Sequence, residues 1–424
     1  MLWSTLMSTL IVVVSVALMI HALVSLRFML YAWESADRLR ESGAPASFSP
    51  PHYSFTVLLP ARHEEAVIYD TIQRVWNANY PKWLLQVLVI CHVSDGETIA
   101  EAERAIRDIQ WPNVALVTFD DPPINKPHGL NLGLRAATHD IVTVFDAEDD
   151  VSSDIFNVIN SRYLQEELGQ GIIQAGVQLI NFRDYWFALH NCLEYYFWYK
   201  SRLHFHAAIG MMPLGGNTVF VPRTLLERVG GWNDACLTED AELGIRLSVL
   251  GEPIRTIYDS QYATREETPQ NIAQFVRQRT RWNQGFIQVL RLGDWRRLPR
   301  LQQRLLALYT LTYPLLQSLF VALLPFDVAS AIWLRPSTLV AMITFLPLYA
   351  LLLQLVALIV GAYEFAQEYK LKLPWHTPLH VALTYLPFLI LQGVGSMRAL
   401  IREIWGARNW EKTAHVGAHR QAAI

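Results

Sequence analysis

The chain of 424 residues is poor in cysteine, in charge and in glycine-rich loops. Its three cysteines, Cys91, Cys192 and Cys236, lie far apart and are odd in number. That excludes a disulfide framework and a paired-cysteine zinc site, and fits a reducing compartment. Charged residues make up only 17% and the formal net charge is −3, so no basic face is on offer to nucleic acid. Glycine and proline, 21 each, exclude collagen and long disordered tracts. No G-x-G-x-x-G follows the first strand pattern and no G-x-x-x-x-G-K-[ST] occurs, so dinucleotide and P-loop readings have no support.

What is present is apolar residues, 52% of the chain, unevenly placed. Met1–Leu26 contains no Asp, Glu, Lys or Arg, and about 20 such residues suffice for a crossing. The same holds for Leu305–Phe326, Pro336–Tyr363 and His380–Met397. The pattern predicts an N-terminal transmembrane helix over 1–31 and a cytosolic domain over 50–270. A basic amphipathic interface segment over 271–304, membrane helices over 305–400 and a tail over 401–424 follow. A cleaved signal peptide is the alternative for the first run, but its first charge, Arg27, follows the apolar stretch rather than preceding it.

Charge sets the expected orientation. Arg277 to Arg304 carries eight arginines against the single acid Asp294, which places the domain in the cytoplasm and the N-terminus outside the inner membrane. The tail, Arg398–Ile424, has five basic and two acidic residues and reads as cytoplasmic too. Three crossings after the domain would put it outside. Either the stretch broken by Pro314 and Pro325 does not cross once, or a later run lies in the interface.

In the soluble stretch, strand patterns (Phe55–Leu59, Gln86–Cys91, Val114–Val117, Ile141–Phe145) alternate with helical ones (Glu64–Asn77, Glu97–Ile109, His128–Ala137, Asp154–Glu167). Such alternation predicts an α/β, Rossmann-like parallel or mixed sheet with ligands beyond the carboxyl ends of its strands. Asp95 and the run Asp146-Ala147-Glu148-Asp149-Asp150 fall there. Clustered carboxylates after a buried strand repel one another unless a divalent cation neutralises them, or they form a solvated, helix-capping turn. Thr238-Glu239-Asp240 reads either as a helix cap or as a general base for an attacking hydroxyl. Gln278, Arg281 and Trp282 read as a cationic surface helix, or as phosphate ligands with a stacking ring. Lys126 offers a cation to a diphosphate or is a solvated lysine, and Gly215-Gly216-Asn217 is a tight turn after an aromatic run.

The order of these elements is more telling than any one of them. Leu-Pro-Ala-Arg-His-Glu-Glu (59–65), Ser-Asp-Gly (94–96), Asp-Ala-Glu-Asp (146–149), Thr-Glu-Asp (238–240) and Gln-Arg-Thr-Arg-Trp (278–282), then apolar runs, resemble family 2 glycosyltransferases. The likeness is to the membrane-integrated, cellulose-synthase-like and bacterial exopolysaccharide synthase type. It implies a GT-A fold and an inverting hexosyltransferase using a nucleotide-diphosphate sugar, with UDP expected. Under it Asp95 contacts the nucleoside, and Asp146 with Glu148 or Asp149 holds Mg²⁺ or Mn²⁺. Asp240, beside Glu239, is the base. Lys126, Gln278, Arg281 and Trp282 frame the donor, and Gly216, Asn217 and Trp282 line the acceptor. Asp-Ala-Glu departs from the common Asp-x-Asp. The expected acceptor is a growing extracellular polysaccharide, with a lipid or lipid-linked acceptor as the alternative and a non-catalytic membrane assembly module as the third reading. A channel this small leaves room for a partner subunit or homodimer. Trp410, Lys412 and Thr413 are expected to cover the donor site from the tail.

Overall fold

The computed structural model describes residues 2–169, 171–333, 338–407, 411, 417 and 420. Trp410, Lys412 and Thr413 lie outside them. Nine strands form: β1 (Phe55–Ala61), β2 (Leu85–His92), β3 (Val114–Phe119), β4 (Ile141–Val144), β5 (Ile172–Ala175), β6 (Val177–Leu179), β7 (Val219–Pro222), β8 (Ile254–Ile257) and β9 (Thr264–Glu266). Seven make one sheet in the order β3-β2-β1-β4-β7-β5-β8, and β6 pairs with β9. Pairing is parallel except that β7 runs antiparallel to both β4 and β5. The expected α/β arrangement is therefore a mixed sheet.

Both faces are covered, which is why the strands read as unbroken apolar runs. Successive residues of β1 point to opposite sides. Val57 and Leu59 pack with Phe145, Phe156 and Phe220, and Leu58 packs with Leu88, Ile90 and Leu134. The four strand patterns fall on β1–β4, and three of the helices form near their expected places. The first starts later, at Ile68.

Four helices are long and apolar enough to cross a membrane: Leu2–Glu34, Leu301–Trp333, Thr338–Glu368 and Thr377–Ile404. Beneath them runs an aromatic helix, Ala188–Phe197, which widens into a π-helical turn at Trp198–Arg202 and continues as Leu203–Ile209. This rod ties the sheet domain to the apolar helices. Ser201 Oγ donates to the Phe28 carbonyl at 2.6 Å and accepts from the Ala32 amide at 2.9 Å. Lys200 pairs with Glu364 at 2.7 Å and with Glu368.

The last helix differs from the other three. At its start His380 Nε2 meets the Trp186 carbonyl at 3.1 Å and Thr384 meets His190 at 2.7 Å. At its end Arg402 donates to Gln284 at 3.1 Å and Glu403 accepts from Arg291 at 2.5 Å. Both ends of a 28-residue helix, about 42 Å at 1.5 Å per residue, thus rest on the domain. Its polar side chains, Gln392, Ser396 and Glu403, are buried, while Leu379, Leu383, Leu386, Val394 and Ile401 face outward.

Candidate active site

A continuous cavity of about 680 Å³ begins at the carboxyl ends of β1 and β4 and continues among the apolar helices. Its strand end is an acid cluster. Asp146 lies two residues past the end of β4, and its Oδ1 accepts from Lys126 Nζ at 2.5 Å. Lys126 opens the helix Lys126–Ala136, whose N-terminus is capped by Asn125 accepting the His128 amide at 3.0 Å. Nζ also donates to the Gly216 carbonyl at 3.2 Å. Burial works to discharge Lys126, but Asp146, Glu239 and Asp240 outweigh it and hold the ammonium above its ordinary pKa.

Glu239 and Asp240 open the helix Glu239–Leu250, and both line the cavity. Burial raises both carboxyl pKa values. Beside Glu239 the Asp240 charge adds to the rise and Lys126 opposes it. For Asp240 the amide of Ala241, donating to Oδ1 at 2.8 Å, and the Lys126 charge oppose it. A Cβ on Gly216 would stand 3.2 Å from Asp240 Oδ2, so the glycine lets backbone and carboxylate come together.

The arginine-rich helix Ile272–Leu292 crosses this turn at Gly285, where a Cβ would meet the Thr238 side chain at 2.4 Å. Gln278, Arg281 and Trp282, spaced i, i+3 and i+4, share its cavity face. Gln278 Oε1 is buried with no hydrogen-bond partner among the described residues, which suits a group awaiting a ligand. Arg279 instead anchors the helix, donating to Glu194 at 2.7 Å and Asn191 at 2.6 Å, with its guanidinium 4.4 Å from the Trp282 ring.

The description "Glycosyltransferase like family 2" matches residues 50–285. The chain belongs to that family. It is 28% identical over 240 residues to the probable glycosyltransferase YdaM of Bacillus subtilis (strain 168), covering 54% of each chain. It is 27% identical over 278 residues to the beta-monoglucosyldiacylglycerol synthase of Synechocystis sp. (strain ATCC 27184 / PCC 6803 / Kazusa), covering 65% of this chain and 56% of that protein. A poly-beta-1,6-N-acetyl-D-glucosamine synthase of Staphylococcus epidermidis is 24% identical over 275 residues, 62% of this chain and 61% of the synthase. The chain spans about half the length of the curated relatives it matches. A mannosyltransferase from Pyrobaculum calidifontis, solved with GDP-Man and Mn²⁺, shares the fold: TM-score 0.56 and 18% identity, covering 94% of this chain and 99% of that one.

Within this family 2 domain the expected residues separate into two groups. Lys126, Asp146, Glu148, Gly216, Asn217, Glu239, Asp240, Gln278, Arg281 and Trp282 come together along the cavity. Asp95 and Asp149 stand behind it. Asp95 is buried and accepts the His63 amide at 2.6 Å, holding that residue at φ 55°. Asp149 takes both oxygens to Asn217 Nδ2, at 3.0 and 2.9 Å, and one to the Asp146 amide at 2.8 Å. Burial, then Glu266, holds its carboxyl well above the ordinary range. Asn217 spends its amide on this lock, with Glu266 Oε1 at 2.5 Å as well. Arg62, His63 and His92 also line the strand end of the cavity. The first two stood in the quoted 59–65 motif, and only the fold shows that they face the cavity. Among the described residues no three His, Cys, Asp or Glu are grouped to hold an ion. Two carboxylates, Asp146 and Glu148, do face the cavity, and that suits a hard cation that draws its other ligands from phosphate.

Proposed function

We propose that this chain is an inverting glycosyltransferase moving a hexose from a nucleotide-diphosphate sugar, UDP being the expected nucleotide, onto a hydroxyl of a membrane lipid. The supporting observation is the unbroken cavity, which joins the acids at the strand ends to Leu18, Phe320, Pro347 and Leu351 in the apolar helices. Lys126, Gln278 and Arg281 would bind the donor diphosphate, and Trp282 offers a face to a sugar ring. A divalent ion, Mg²⁺ or Mn²⁺, would be held by Asp146 and Glu148 and would neutralise charge on the departing nucleotide. Asp240 takes the proton from the acceptor hydroxyl, which attacks the anomeric carbon on the face opposite the leaving diphosphate. Its raised pKa makes it a stronger base than an exposed aspartate.

A second reading, a growing polysaccharide as acceptor, draws on the rings of Tyr195, Trp198 and Tyr199 and the amides of Gln317, Gln354 and Gln392 along the middle of the cavity. Those groups suit sugars as well as lipid head groups. The last helix, resting on the domain at both ends, is read as interfacial. Leu2–Glu34, Leu301–Trp333 and Thr338–Glu368 then cross, and domain and tail share the cytoplasmic side of the inner membrane.

The test is nucleotide release by purified protein across a panel of nucleotide sugars, with and without chelator, beside Asp240→Asn. Chelator-sensitive release with one donor, lost in the variant, supports the transferase. A product one sugar larger than a lipid supports the first reading, and a polymer ladder supports the second. Release unchanged in Asp240→Asn would overturn the role given to that residue.

A further inference from the structure

The membrane arm of the cavity holds one charge that the described protein does not neutralise. Arg202 closes the π-helical turn Trp198–Arg202, and Trp198, Tyr199 and Arg202 all line the same cavity. Its guanidinium lies 4.7 Å from the Phe28 ring centre, 4.8 Å from Trp198 and 5.4 Å from Tyr313. Rings attract a cation but accept no full hydrogen bond from it. Among the described residues Arg202 has neither a hydrogen-bond partner nor an ion-pair partner, and its Nε is buried and unsatisfied. The carboxylate whose field it feels, Glu194, is already engaged, by Arg279 at 2.7 Å and Gln392 at 3.0 Å. Two residues earlier, Lys200 is held by Glu364 and Glu368 of the helix Thr338–Glu368, so a cation of architectural use on this rod is met by acids. Burial pulls the Arg202 pKa down, yet an arginine keeps its proton in proteins, so the charge persists.

Position says what the missing anion belongs to. Phe28 lies six residues, about 9 Å, from the domain end of Leu2–Glu34. Beyond Arg202 the cavity is lined by Leu18, Phe320, Pro347 and Leu351. One turn back, Tyr199 places its hydroxyl against Gly215, next to Gly216 and Asp240. From bilayer to acids the order is apolar wall, lone guanidinium, catalytic carboxylate. A phospholipid with a hydroxylated head group has the matching order of acyl chain, phosphate and hydroxyl, and the planar guanidinium fork matches phosphate oxygens. We propose that Arg202 binds the phosphate of an anionic lipid seated between the Phe28, Trp198 and Tyr313 rings. The proposal rests on the lipid-acceptor reading above and narrows it to phosphate-bearing lipids.

The test uses the full chain in neutral detergent, titrated separately with dioleoyl phosphatidylglycerol, dioleoylglycerol and inorganic phosphate. The readout is the rise in thermal unfolding midpoint, for wild type, Arg202→Gln and Arg202→Lys. Phosphatidylglycerol should stabilise the wild type, with its apparent affinity falling about tenfold in Arg202→Gln and recovering in part in Arg202→Lys. Dioleoylglycerol affinity should change less than twofold. Equal phosphatidylglycerol affinity in wild type and Arg202→Gln overturns the proposal, as does an equal loss for dioleoylglycerol. Inorganic phosphate binding at Arg202 as tightly as the lipid would assign the site to a free anion instead. Arg202→Gln unfolding early while Arg202→Lys binds like wild type still shows the charge to be the determinant. Absence of donor turnover in a wild type that binds phosphatidylglycerol through Arg202 would overturn the transferase reading and leave this site standing.

Discussion

The two ends of the cavity are built from different material and lack opposite charges. At the strand end the four acids Asp146, Glu148, Glu239 and Asp240 outnumber the three cations Arg62, Lys126 and Arg281. At the membrane end Arg202 faces rings. A buried charge without its counter-charge costs several kcal/mol, so each end is stable only in so far as a ligand completes it. The deficit at the strand end suits a cation arriving with a diphosphate, and that at the membrane end suits an anion arriving on a lipid.

The largest effect should come from the strand end. Asp240→Asn is expected to lower kcat about 10²–10⁴-fold while the protein still binds nucleotide, measured by nucleotide release and UDP titration. Donor binding lost together with kcat would mean that Asp240 belongs to the donor site rather than to the base. Next, Asp146→Asn should lower turnover by an amount worth several kcal/mol and leave little further loss to chelator. If chelation still costs the variant as much as the wild type, the cation sits elsewhere and the contrast between the two ends fails.

Lys126→Met sharpens the contrast through pH. Lys126 holds the Glu239 and Asp240 carboxyl pKa values down, so its removal lets both rise further. Because the base must be deprotonated, the acid limb of the kcat–pH profile should move to higher pH, by about one pH unit. A limb that stays in place or moves down would contradict this coupling. Gly285→Leu should cost about 1–3 kcal/mol and reduce kcat, because any side chain there meets Thr238 and displaces the acids behind it. Thermal unfolding beside turnover separates the two effects. The smallest change is expected from Asn283→Ala, which removes a 2.7 Å bond to Ser396 of the last helix, at about 1 kcal/mol with donor affinity unchanged.

The parts that were legible in the sequence are those carried by local pattern. β1–β4 are apolar runs because both sheet faces are covered. Gln278, Arg281 and Trp282 share a face because their spacing is helical. β5 and β8 are four-residue runs whose pairing is with each other, and for β5 also with β7, far along the chain, and the antiparallel direction of β7 is set in the same way. Asp149 sits in the same acidic run as Asp146, and only its contact with Asn217, 68 residues away, shows it turned inward. Arg202 looks like one more residue of an aromatic stretch until the Phe28 and Tyr313 rings from two distant helices close over it. The last helix has the composition of a crossing segment, and the contacts at its two ends are what support the interfacial reading proposed above. That geometry also offers an account of the conflict over the side on which the tail emerges.

The way the last helix is laid down carries a kinetic consequence. Under the interfacial reading proposed above, a helix strapped along the domain with its oily side outward would hold the mouth of the cavity at a fixed height on the bilayer. A lipid acceptor of the kind proposed would then reach the acids from within the membrane, travelling in two dimensions. Its effective concentration is a mole fraction of the surrounding lipid. Adding an inert, phosphate-free lipid at constant total acceptor should slow turnover as the bilayer area grows, whereas diluting the vesicles with buffer that holds the donor concentration constant should leave the rate per enzyme unchanged.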